Sequence, residues 1–235
     1  MTKSPLDDLK AFWLAVYVGL AYAAVTLVVL VYQICWPKII TYPWKEEEKQ
    51  INRTVIFAAS YNPPHHGHVR ILEYLSKRYT KVIAVVGFNP NKDYLVSPEQ
   101  RADLLRDMLK STSATNNVEV DVVEGYIWRY AKRVDATLFI RGIRSWEKDG
   151  KDERSLQILN TWGPLVLGPV FPVKTIYLIG DPKYNHVSST LIRDICNTSS
   201  SDNNSDDDKN KEESLSKLVP THVAGKVAKL YRIKK

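Results

Sequence analysis

The sequence predicts an α/β protein with a five-stranded, mainly parallel sheet, flanking helices and one transmembrane helix in front of them. Residues 11–36 contain no charged residue. From residue 54 onward, β-rich runs alternate with helix-like segments, and this alternation produces right-handed crossovers between parallel strands. The run VIAVV at 82–86 is apolar throughout, which is typical of strands that are buried on both faces.

The composition sets broad limits on the function. The 235 residues include 25% charged and 44% hydrophobic residues, which excludes a wholly disordered or collagen-like chain. The formal net charge of +7 favours an anionic partner but does not choose between a nucleotide, a nucleic acid and a lipid surface. The two cysteines, Cys35 and Cys196, are far apart in sequence and predict neither a disulfide framework nor a zinc site.

The first element is the predicted transmembrane helix at 11–36. As a helix this segment would be about 39 Å long, which exceeds the roughly 30 Å of hydrocarbon in a bilayer. Tryptophan and tyrosine are typical of membrane interfaces. Both types occur near each end of the segment, as Trp13, Tyr17, Tyr32 and Trp36. Pro37 then predicts the end of the helix.

A cleaved signal peptide and a buried core helix are the alternatives for this segment. A signal peptide has a shorter apolar region of about 7–15 residues and a basic start, whereas MTKSPLDDLK balances two lysines against two aspartates. A retained anchor is therefore favoured. Lysine and arginine are more frequent after the helix than before it, which predicts a single-pass protein with its domain on the cytoplasmic side.

The predicted organisation is a flank at 1–10, the membrane helix at 11–36, a linker at 37–53 and one domain at 54–235. Short apolar or β-branched runs predict the five strands of the domain. These runs lie at 54–59, 81–87, 118–122, 137–140 and 174–179.

Apolar residues at helical spacing predict the helices. In 67–78, the residues Val69, Leu72 and Leu75 fall on one helix face. The segment 97–110 begins with Ser-Pro-Glu-Gln, which supplies an N-cap and a proline in the first turn. The full set of predicted helices is 67–78, 97–110, 126–133, 154–162, 188–196 and 220–231.

Residues 197–214 interrupt this pattern with the sequence NTSSSDNNSDDDKNKEES. The segment is polar, acidic and low in complexity, so it lacks the apolar surface that would order it. We expect a disordered acidic insert. A metal site at 206–208 is the alternative, but a solvated run of charges is favoured.

The first cluster of polar residues follows the first strand, in ASYNPPHHGH at 59–68, and contains the pattern H-x-G-H as His65, Gly67 and His68. Gly67 allows the backbone to approach a ligand closely. A helix N-terminus offers free N–H groups to phosphate, and imidazoles there can donate hydrogen bonds to phosphate oxygens as charge develops. A chance surface patch or a zinc site is the alternative.

Three more clusters follow later strands. GFNPNK at 87–92 places Lys92 where it could neutralise a phosphate, although a solvated lysine is the alternative. RGIR at 141–144 supplies two arginines in one short turn, suited to a polyphosphate. HVSSTLIR at 186–193 supplies hydroxyls that either cap a helix or bind phosphate. Ligands of such sheets bind beyond the carboxyl ends of the strands, so we expect the four clusters to share one anion.

These motifs resemble the nucleotidylyltransferase superfamily through H-x-G-H and S-S-T-x-x-R. They resemble phosphopantetheine adenylyltransferase in particular through NPNKxxLxSPEQR, RGIR and VSSTLIRD. The resemblance runs from about residue 54 to the end, without the acidic insert, and implies a Rossmann-like fold. Members of that family convert ATP and 4′-phosphopantetheine to dephospho-coenzyme A and pyrophosphate in coenzyme A biosynthesis. The resemblance thus implies both substrates, Mg²⁺ with the ATP, no metal bound by the protein alone and no nucleic acid.

The resemblance also implies roles for individual residues. The residues expected to be catalytic are His68, Lys92 and Arg141. Phosphopantetheine is expected to contact Ser60, Lys92, Ile127 and Arg141. ATP is expected to contact Ser60, Tyr61, His65, His68, Gly142, Ile143, Arg144, Tyr184, Ser188, Ser189 and Thr190.

The sequence departs from the family pattern at three points. Ala-Ser-Tyr-Asn-Pro at 59–63 stands where the family has Gly-Thr-Phe-Asp-Pro. Ser155 takes the place of a glutamate that contacts the ATP ribose, and Glu153 is the alternative for that contact. The third departure is the membrane anchor together with the acidic insert, which are unusual for the soluble bacterial forms. Those forms assemble as hexamers, so a homo-oligomer is an expectation here, although an anchored chain need not share that assembly.

Two other functions compete with this interpretation. A nicotinamide or nicotinate mononucleotide adenylyltransferase shares the first and last motifs, but the lysine loop and RGIR favour phosphopantetheine. A cytidylyltransferase of lipid synthesis would carry Arg-Thr-Glu-Gly, which is absent. The non-enzyme alternative is a catalytically degenerate, anchored nucleotide-binding module, and the joint presence of His68, Lys92, Arg141 and Ser189 argues against it.

Overall fold

The computed structural model describes residues 5–45, 48–87, 94–112, 115–168, 170–197 and 205–232. They fall into two units, Met1–Lys38 and Ile39–Lys235. The first unit is the helix α1 (Pro5–Cys35). Its stretch Asp8–Cys35 is long and apolar enough to cross a membrane, judged by length and composition. The helix begins six residues before the predicted segment because the polar N-terminal residues continue the same helical turns.

The second unit contains a six-stranded sheet, so the prediction of five strands was one short. The additional strand is β1, a three-residue edge strand within the predicted linker, and three residues are too few to show a strand pattern in sequence. The order across the sheet is β1-β6-β5-β2-β3-β4. The strands are β1 (Lys38–Ile40), β2 (Gln50–Ala59), β3 (Tyr79–Gly87), β4 (Val118–Val123), β5 (Ala136–Ile143) and β6 (Lys174–Ile179).

Strand order reverses in the middle of the sheet. The strand β2 pairs in parallel with β3 on one side and with β5 on the other. The chain passes from β2 through β3 to β4, and it then returns to β5 and β6 on the opposite side. A crevice forms at the carboxyl ends of the strands where the order reverses. The ends of β2 and β5 therefore define the expected ligand site.

The strand β2 starts earlier than the apolar run at 54–59 indicated. Gln50 lies opposite Tyr79 and Thr54 lies opposite Lys81, so β2 carries two extra residues between these pairs. Within this bulge, Asn52 has a left-handed φ of 58°, a conformation that asparagine adopts more readily than most residues. The bulge breaks the strand pattern, and the sequence therefore indicated only the regular part.

The helices confirm the α/β alternation. Ser97 and Gln100 form a reciprocal capping box at the start of α3, with N···O distances of 3.2 and 3.3 Å. The helix α5 is much longer than the predicted segment 154–162, because the Ser145 hydroxyl caps it upstream by accepting from the Lys148 N–H. The helices of the second unit are α2 (His66–Arg78), α3 (Pro98–Lys110), α4 (Ile127–Arg133), α5 (Trp146–Leu167), α6 (Ser189–Asn197), α7 (Ser205–Ser216) and α8 (Thr221–Tyr231).

The acidic insert differs from its prediction. Of the insert predicted at 197–214, residue 197 ends α6 and residues 205–214 belong to the helix α7, where disorder was expected. The reason is at its end, where Leu215 is fully buried in the core, so this segment gains the apolar contact that its composition alone did not reveal. The part of the insert at 198–204 lies outside the described residues.

The core has two parts, one on each face of the sheet. Alternate residues of β2 serve the two faces: Val55 and Phe57 pack on one side, and Ile56 and Ala58 on the other. The first side is covered by residues of α2, α3, α6, α7 and α8. The second is covered by residues of α4 around Trp128. This double coverage explains the uninterrupted apolar runs of the central strands.

Candidate active site

An open cavity of about 290 Å³ lies at the carboxyl ends of β2 and β5, where strand order reverses. Its position agrees with the general rule for ligand sites in open parallel sheets. Residues from three of the four polar clusters line it together. The predicted site residues on its walls are His65, His68, Arg141, Gly142, Ile143, Arg144, Tyr184, Ser188 and Ser189.

The H-x-G-H segment forms the N-terminal turn of α2. His65 is the N-cap, and its Nδ1 accepts a hydrogen bond from the Gly67 N–H at 3.2 Å. The His68 Nδ1 accepts from the His65 N–H at 3.3 Å, and the two rings lie 3.8 Å apart. A Cβ atom on residue 67 would lie 3.1 Å from the His65 ring. Any larger residue here would require the His65 ring to shift by a few tenths of an ångström from its position over the turn.

The amides of this turn are not free, contrary to the expectation of an open helix N-terminus. The Gly67 N–H is taken by the His65 ring, and the His66 N–H donates to the Leu218 carbonyl at 3.1 Å. The His68 N–H donates to the His65 carbonyl at 2.9 Å. The His65 side chain, the His65 carbonyl and Leu218, which is 152 positions from His66, thus satisfy these backbone donors. The donors that the turn can offer to a ligand are therefore its imidazoles.

Both imidazoles are neutral donors at neutral pH. Burial lowers the pKa of His65 to about 4, with a further contribution from the charge of His66. Burial also holds the pKa of His68 well below its usual value, with His65 as the second cause. In each ring Nδ1 is an acceptor, so the proton resides on Nε2. His68 lines the cavity, and Nε2–H is the donor of its ring.

This arrangement predicts that acidification destabilises the fold. The pKa of His65 is about 4 in the folded chain and about 6.5 in the unfolded chain, so between these values the unfolded chain binds more protons. The free energy of unfolding should fall by about 1.4 kcal/mol per pH unit for this residue as pH drops through that window. His68 should add to the loss. Thermal unfolding of the full chain in detergent, followed across the window, measures the slope.

Two variants check the origin of this slope. His65→Gln removes one titrating group and should make the dependence of stability on pH shallower. His186→Gln changes an exposed histidine and should leave the slope as in the wild type. Equal slopes in the wild type and in His65→Gln would show that the histidine turn is not responsible.

The RGIR segment lies mostly inside a strand, which corrects the prediction of a short turn. Residues 141–143 are the last three of β5, and only Arg144 leaves the sheet. The Arg141 guanidinium makes a bidentate pair with Glu153, with Nε–Oε2 at 2.8 Å and Nη2–Oε1 at 2.6 Å. Its Nη1 donates to the Ala58 carbonyl at the end of β2. Arg141 thus joins the two strands that border the cavity.

The two residues considered for the ribose contact have different positions. Glu153 lines the cavity, and its carboxylate is occupied by Arg141. Ser155 is exposed, does not line the cavity, and donates to the Lys151 carbonyl at 3.4 Å. Of the two, only Glu153 faces the space where a nucleotide would bind, and the contact itself stays a prediction.

Arg144 is held at the cavity wall by an acid that sequence reasoning missed. Its Nη2 lies 2.5 Å from Asp149 Oδ1, and its backbone N–H donates to Asp149 Oδ2 at 2.7 Å. Asp152 and Asp181 also line the cavity. Asp181 had a usable signal, because it directly follows Gly180 after the last strand. The other two occur in the charged run WEKDGKDERSLQ, which shows no such signal.

The loop at 60–63, which leads into the histidine turn, is held through its carbonyl oxygens. The guanidinium groups of Arg101 and Arg193 donate to the carbonyls of Ser60 and Asn62, respectively. The Ser189 hydroxyl donates to the Pro63 carbonyl at 2.8 Å. The S-S-T-x-x-R motif therefore has a structural task, since Ser189 and Arg193 fix the loop that carries the first motif.

The strained residue of this loop is Tyr61. Its φ is 45°, in the left-handed region, and its side chain is fully buried. The Tyr61 hydroxyl donates to the Phe57 carbonyl at 3.0 Å. Sequence reasoning missed the support from Arg101, which is fully buried on α3. An arginine on the apolar stripe of that helix was the signal for it.

Several predicted residues lie away from the cavity walls. Tyr61 faces the core, and Ser60 is exposed at the end of β2. Thr190 is exposed, and its Oγ1 accepts from Arg193 Nη2 at 3.1 Å. Ile127 begins α4 beside Gly87, at the carboxyl end of β3. Lys92 lies outside the described residues, so its predicted role was not tested.

The fold and the histidine turn place the chain among the nucleotidyltransferases, as the motifs predicted. Residues 56–195 match the cytidylyltransferase-like family. A phosphopantetheine adenylyltransferase of Caldanaerobacter subterraneus subsp. tengcongensis is 34% identical over 143 residues, covering 61% of this chain and 83% of the relative. A phosphopantetheine adenylyltransferase of a Methylobacterium species is 31% identical over 148 residues, covering 62% of this chain and 84% of the relative. The chain therefore belongs to the cytidylyltransferase-like family and, within it, to the phosphopantetheine adenylyltransferases.

The likeness extends to solved structures at the level of the fold. A Plasmodium falciparum nicotinic acid mononucleotide adenylyltransferase, complexed with NaAD, superposes with a TM-score of 0.52. The sequences are 15% identical, and the match covers 77% of this chain and 98% of that one. At this identity the comparison establishes a shared fold.

Proposed function

We propose that this chain is a membrane-anchored adenylyltransferase that converts ATP and 4′-phosphopantetheine to dephospho-coenzyme A and pyrophosphate. The main support is the convergence of His68, Arg144 and Ser189 on one cavity at the reversal point of the sheet. The named relatives add the substrate class. The presence of His68, Arg141, Arg144 and Ser189 on one cavity disfavours a degenerate binding module.

In the proposed reaction, a phosphate oxygen of the acceptor attacks the α-phosphorus of ATP in line. A new bond forms between this oxygen and the α-phosphorus. The bond from the α-phosphorus to the oxygen that bridges the α- and β-phosphates breaks, and pyrophosphate leaves with that electron pair. The His68 Nε2–H would donate to an α-phosphate oxygen, where negative charge grows in the transition state. The protein supplies orientation and charge stabilisation, so no covalent enzyme intermediate is needed.

The nucleotide side of the site would comprise the cavity walls. Arg144 can contact the polyphosphate after it exchanges Asp149 for a phosphate oxygen, and guanidinium groups bind both anions through the same paired geometry. Tyr184 and Ser188 line the same wall. The Leu191 N–H at the start of α6 already donates to Ser188 Oγ at 3.1 Å, so the N–H groups of Ser189 and Thr190 would face the leaving pyrophosphate.

The acceptor side is proposed at the neighbouring strand ends. Ser60 is exposed at the end of β2, where its hydroxyl could donate to the acceptor phosphate together with Lys92. Arg141 borders this position through its bond to the Ala58 carbonyl. Ile127 begins α4 at the end of β3, beside Gly87, and would contact the pantetheine arm.

Magnesium is proposed to arrive as the ATP complex. Mg²⁺ usually keeps several waters and binds through substrate phosphates with one or two carboxylates. The donor set fits this chemistry, because the exposed carboxylate of Asp152 lines the cavity. The ion would neutralise charge on the polyphosphate, while the residues described above orient the reacting groups.

The membrane anchor is also part of the proposal. The stretch Asp8–Cys35 has the length and composition of a membrane span, and the excess of lysine and arginine after it favours a cytoplasmic domain. That side would supply ATP. A homo-oligomer is also part of the proposal, as the family resemblance implies.

Pyrophosphate release by the full chain in detergent tests the substrate assignment. The reaction is run with ATP and 4′-phosphopantetheine, and separately with ATP and nicotinamide or nicotinate mononucleotide. We expect turnover with phosphopantetheine, with dephospho-coenzyme A as the second product. Turnover confined to the mononucleotides would replace the proposed acceptor, and no turnover with any of them would favour the binding-module alternative.

A further inference from the structure

A second groove lies outside the active-site cavity, within the unit formed by residues 39–235. The segment after β1 and the outer face of α2 form its walls. Trp44 is only 8% exposed, and its ring packs 4.8 Å from Tyr74 and 5.5 Å, edge-on, from Tyr42. The lining residues are Tyr42, Pro43, Trp44, Arg70, Tyr74, Lys77 and Arg78.

The charge of this groove is positive. Among the residues that the structure describes, its lining contains the cations Arg70, Lys77 and Arg78 and no carboxylate. The nearest described acid on α2 is Glu73, which lies 3.5 Å from the Arg70 guanidinium. Lys77 is exposed, and the Arg70 guanidinium lies 6.0 Å from the Trp44 ring centroid. Cations beside an aromatic wall suit a ligand with a phosphate group and an adjoining apolar part.

The chain itself indicates the source of such a ligand. Trp36 ends the uncharged segment, and Tyr42 follows it by six residues. Six extended residues cover at most about 21 Å. If the apolar helix spans a bilayer, Tyr42 cannot lie further than this from the membrane end of the chain. The phosphates of membrane lipids are then the anions at highest local concentration around the groove.

Two contacts connect the groove with the turn that ends β6. The Trp44 Nε1–H donates to the Ile179 carbonyl at 3.0 Å. The Arg70 Nε lies 3.4 Å from Asp181 Oδ2. Asp181 and the neighbouring Gly180 line the active-site cavity, and Asp181 Oδ1 accepts from the Lys183 N–H in the turn that positions Tyr184. An anion that displaced the Arg70 guanidinium from Asp181 would therefore remove a contact from a residue on the cavity wall.

We propose that this basic aromatic groove binds the headgroup phosphate of an anionic membrane lipid and transmits its occupancy to the nucleotide cavity through Arg70–Asp181 and Trp44–Ile179. The inference rests on the proposed membrane anchoring, but not on the identity of the acceptor substrate. Lipid phosphate draws the Arg70 guanidinium away from Asp181. The released carboxylate then alters the turn at 180–184 and with it the affinity for nucleotide.

Lipid binding is tested with the full chain in detergent by native mass spectrometry. Phosphatidylserine and phosphatidylcholine are titrated separately, with the wild type, Lys77→Gln and the control Lys132→Gln, which removes an equal charge from the exposed surface of α4. We expect phosphatidylserine to bind more tightly. Lys77→Gln should weaken it about fivefold, the effect of about 1 kcal/mol for one basic residue near a membrane surface. Lys132→Gln should change it less than about twofold.

The coupling is tested with an unreactive ATP analogue, so that its outcome does not depend on catalysis. In lipid nanodiscs, addition of phosphatidylserine should change the affinity of the wild type for the analogue and should have a much smaller effect on Lys77→Gln. An unchanged wild-type affinity would overturn the coupling.

Three outcomes would overturn the lipid site itself. One is that phosphatidylcholine binds the wild type as tightly as phosphatidylserine does. Another is that Lys132→Gln weakens phosphatidylserine binding as much as Lys77→Gln does. The third is displacement of the lipid by inorganic phosphate at matching concentration, which would assign the groove to a soluble phosphate ligand. Extraction of the chain from membranes by alkaline carbonate would instead refute the anchor, and pyrophosphate release tests the enzyme separately.

Discussion

Replacement of His68 by alanine is expected to lower kcat for pyrophosphate release by about 10²–10³-fold, the scale of removing one transition-state donor. The His68 Nε2–H is a neutral donor on the cavity wall, oriented by the bond from the His65 N–H to its Nδ1. Its hydrogen bond strengthens as charge develops on the α-phosphate, so the KM for ATP should change far less than kcat. Steady-state kinetics of the full chain measures both.

Two companion variants test the donor role of His68. His68→Gln retains an N–H donor and should have an activity between those of the wild type and His68→Ala. His186→Ala removes an exposed histidine that does not line the cavity and should leave kcat nearly unchanged. A kcat of His68→Ala close to that of the wild type would refute the role of this ring.

Replacement of Glu153 by alanine is expected to lower the free energy of unfolding by about 3–5 kcal/mol, because it leaves the Arg141 guanidinium without its carboxylate. The side chains of the pair are only 22% and 10% exposed, so water cannot fully replace the lost partner. For a domain of this size the melting temperature should fall by roughly 6–20 °C. Thermal unfolding in detergent measures this decrease. The melting temperature of Glu153→Gln should lie between those of the wild type and Glu153→Ala.

The matched control is the neighbouring carboxylate. Asp152 is exposed on the same helix and lines the same cavity. Asp152→Ala should change stability by less than about 0.5 kcal/mol, as exposed substitutions usually do. If Glu153→Ala and Asp152→Ala unfold alike, the Arg141–Glu153 pair does not stabilise the fold.

Much of the fold could be predicted because its signals are local. The five longer strands and most helices follow from periodicity, caps and turns within about a dozen residues. The features that escaped prediction depend on partners distant in sequence. The strand β1 exists because β6 lies beside it, and α7 is anchored through the buried Leu215.

The candidate site shows the same division. H-x-G-H, RGIR and S-S-T-x-x-R identified nine residues that line the cavity. The partners of those residues were not predictable, because pairing is decided by which segments the fold brings together. The Ser189 hydroxyl donates to the Pro63 carbonyl, 126 residues away in sequence. The Arg70 Nε donates to Asp181, which is 111 residues away.

The sequence by itself determined the type of protein: an apolar N-terminal helix, an α/β domain and the motifs of a nucleotidyltransferase. The tertiary structure decided the state of each functional group. Burial made the histidines neutral, Glu153 formed an ion pair with Arg141, and Arg101 fixed the loop before the histidine turn. The physical reason is that residue identity sets which bonds a group can make, whereas desolvation and the neighbours in space select which of them form.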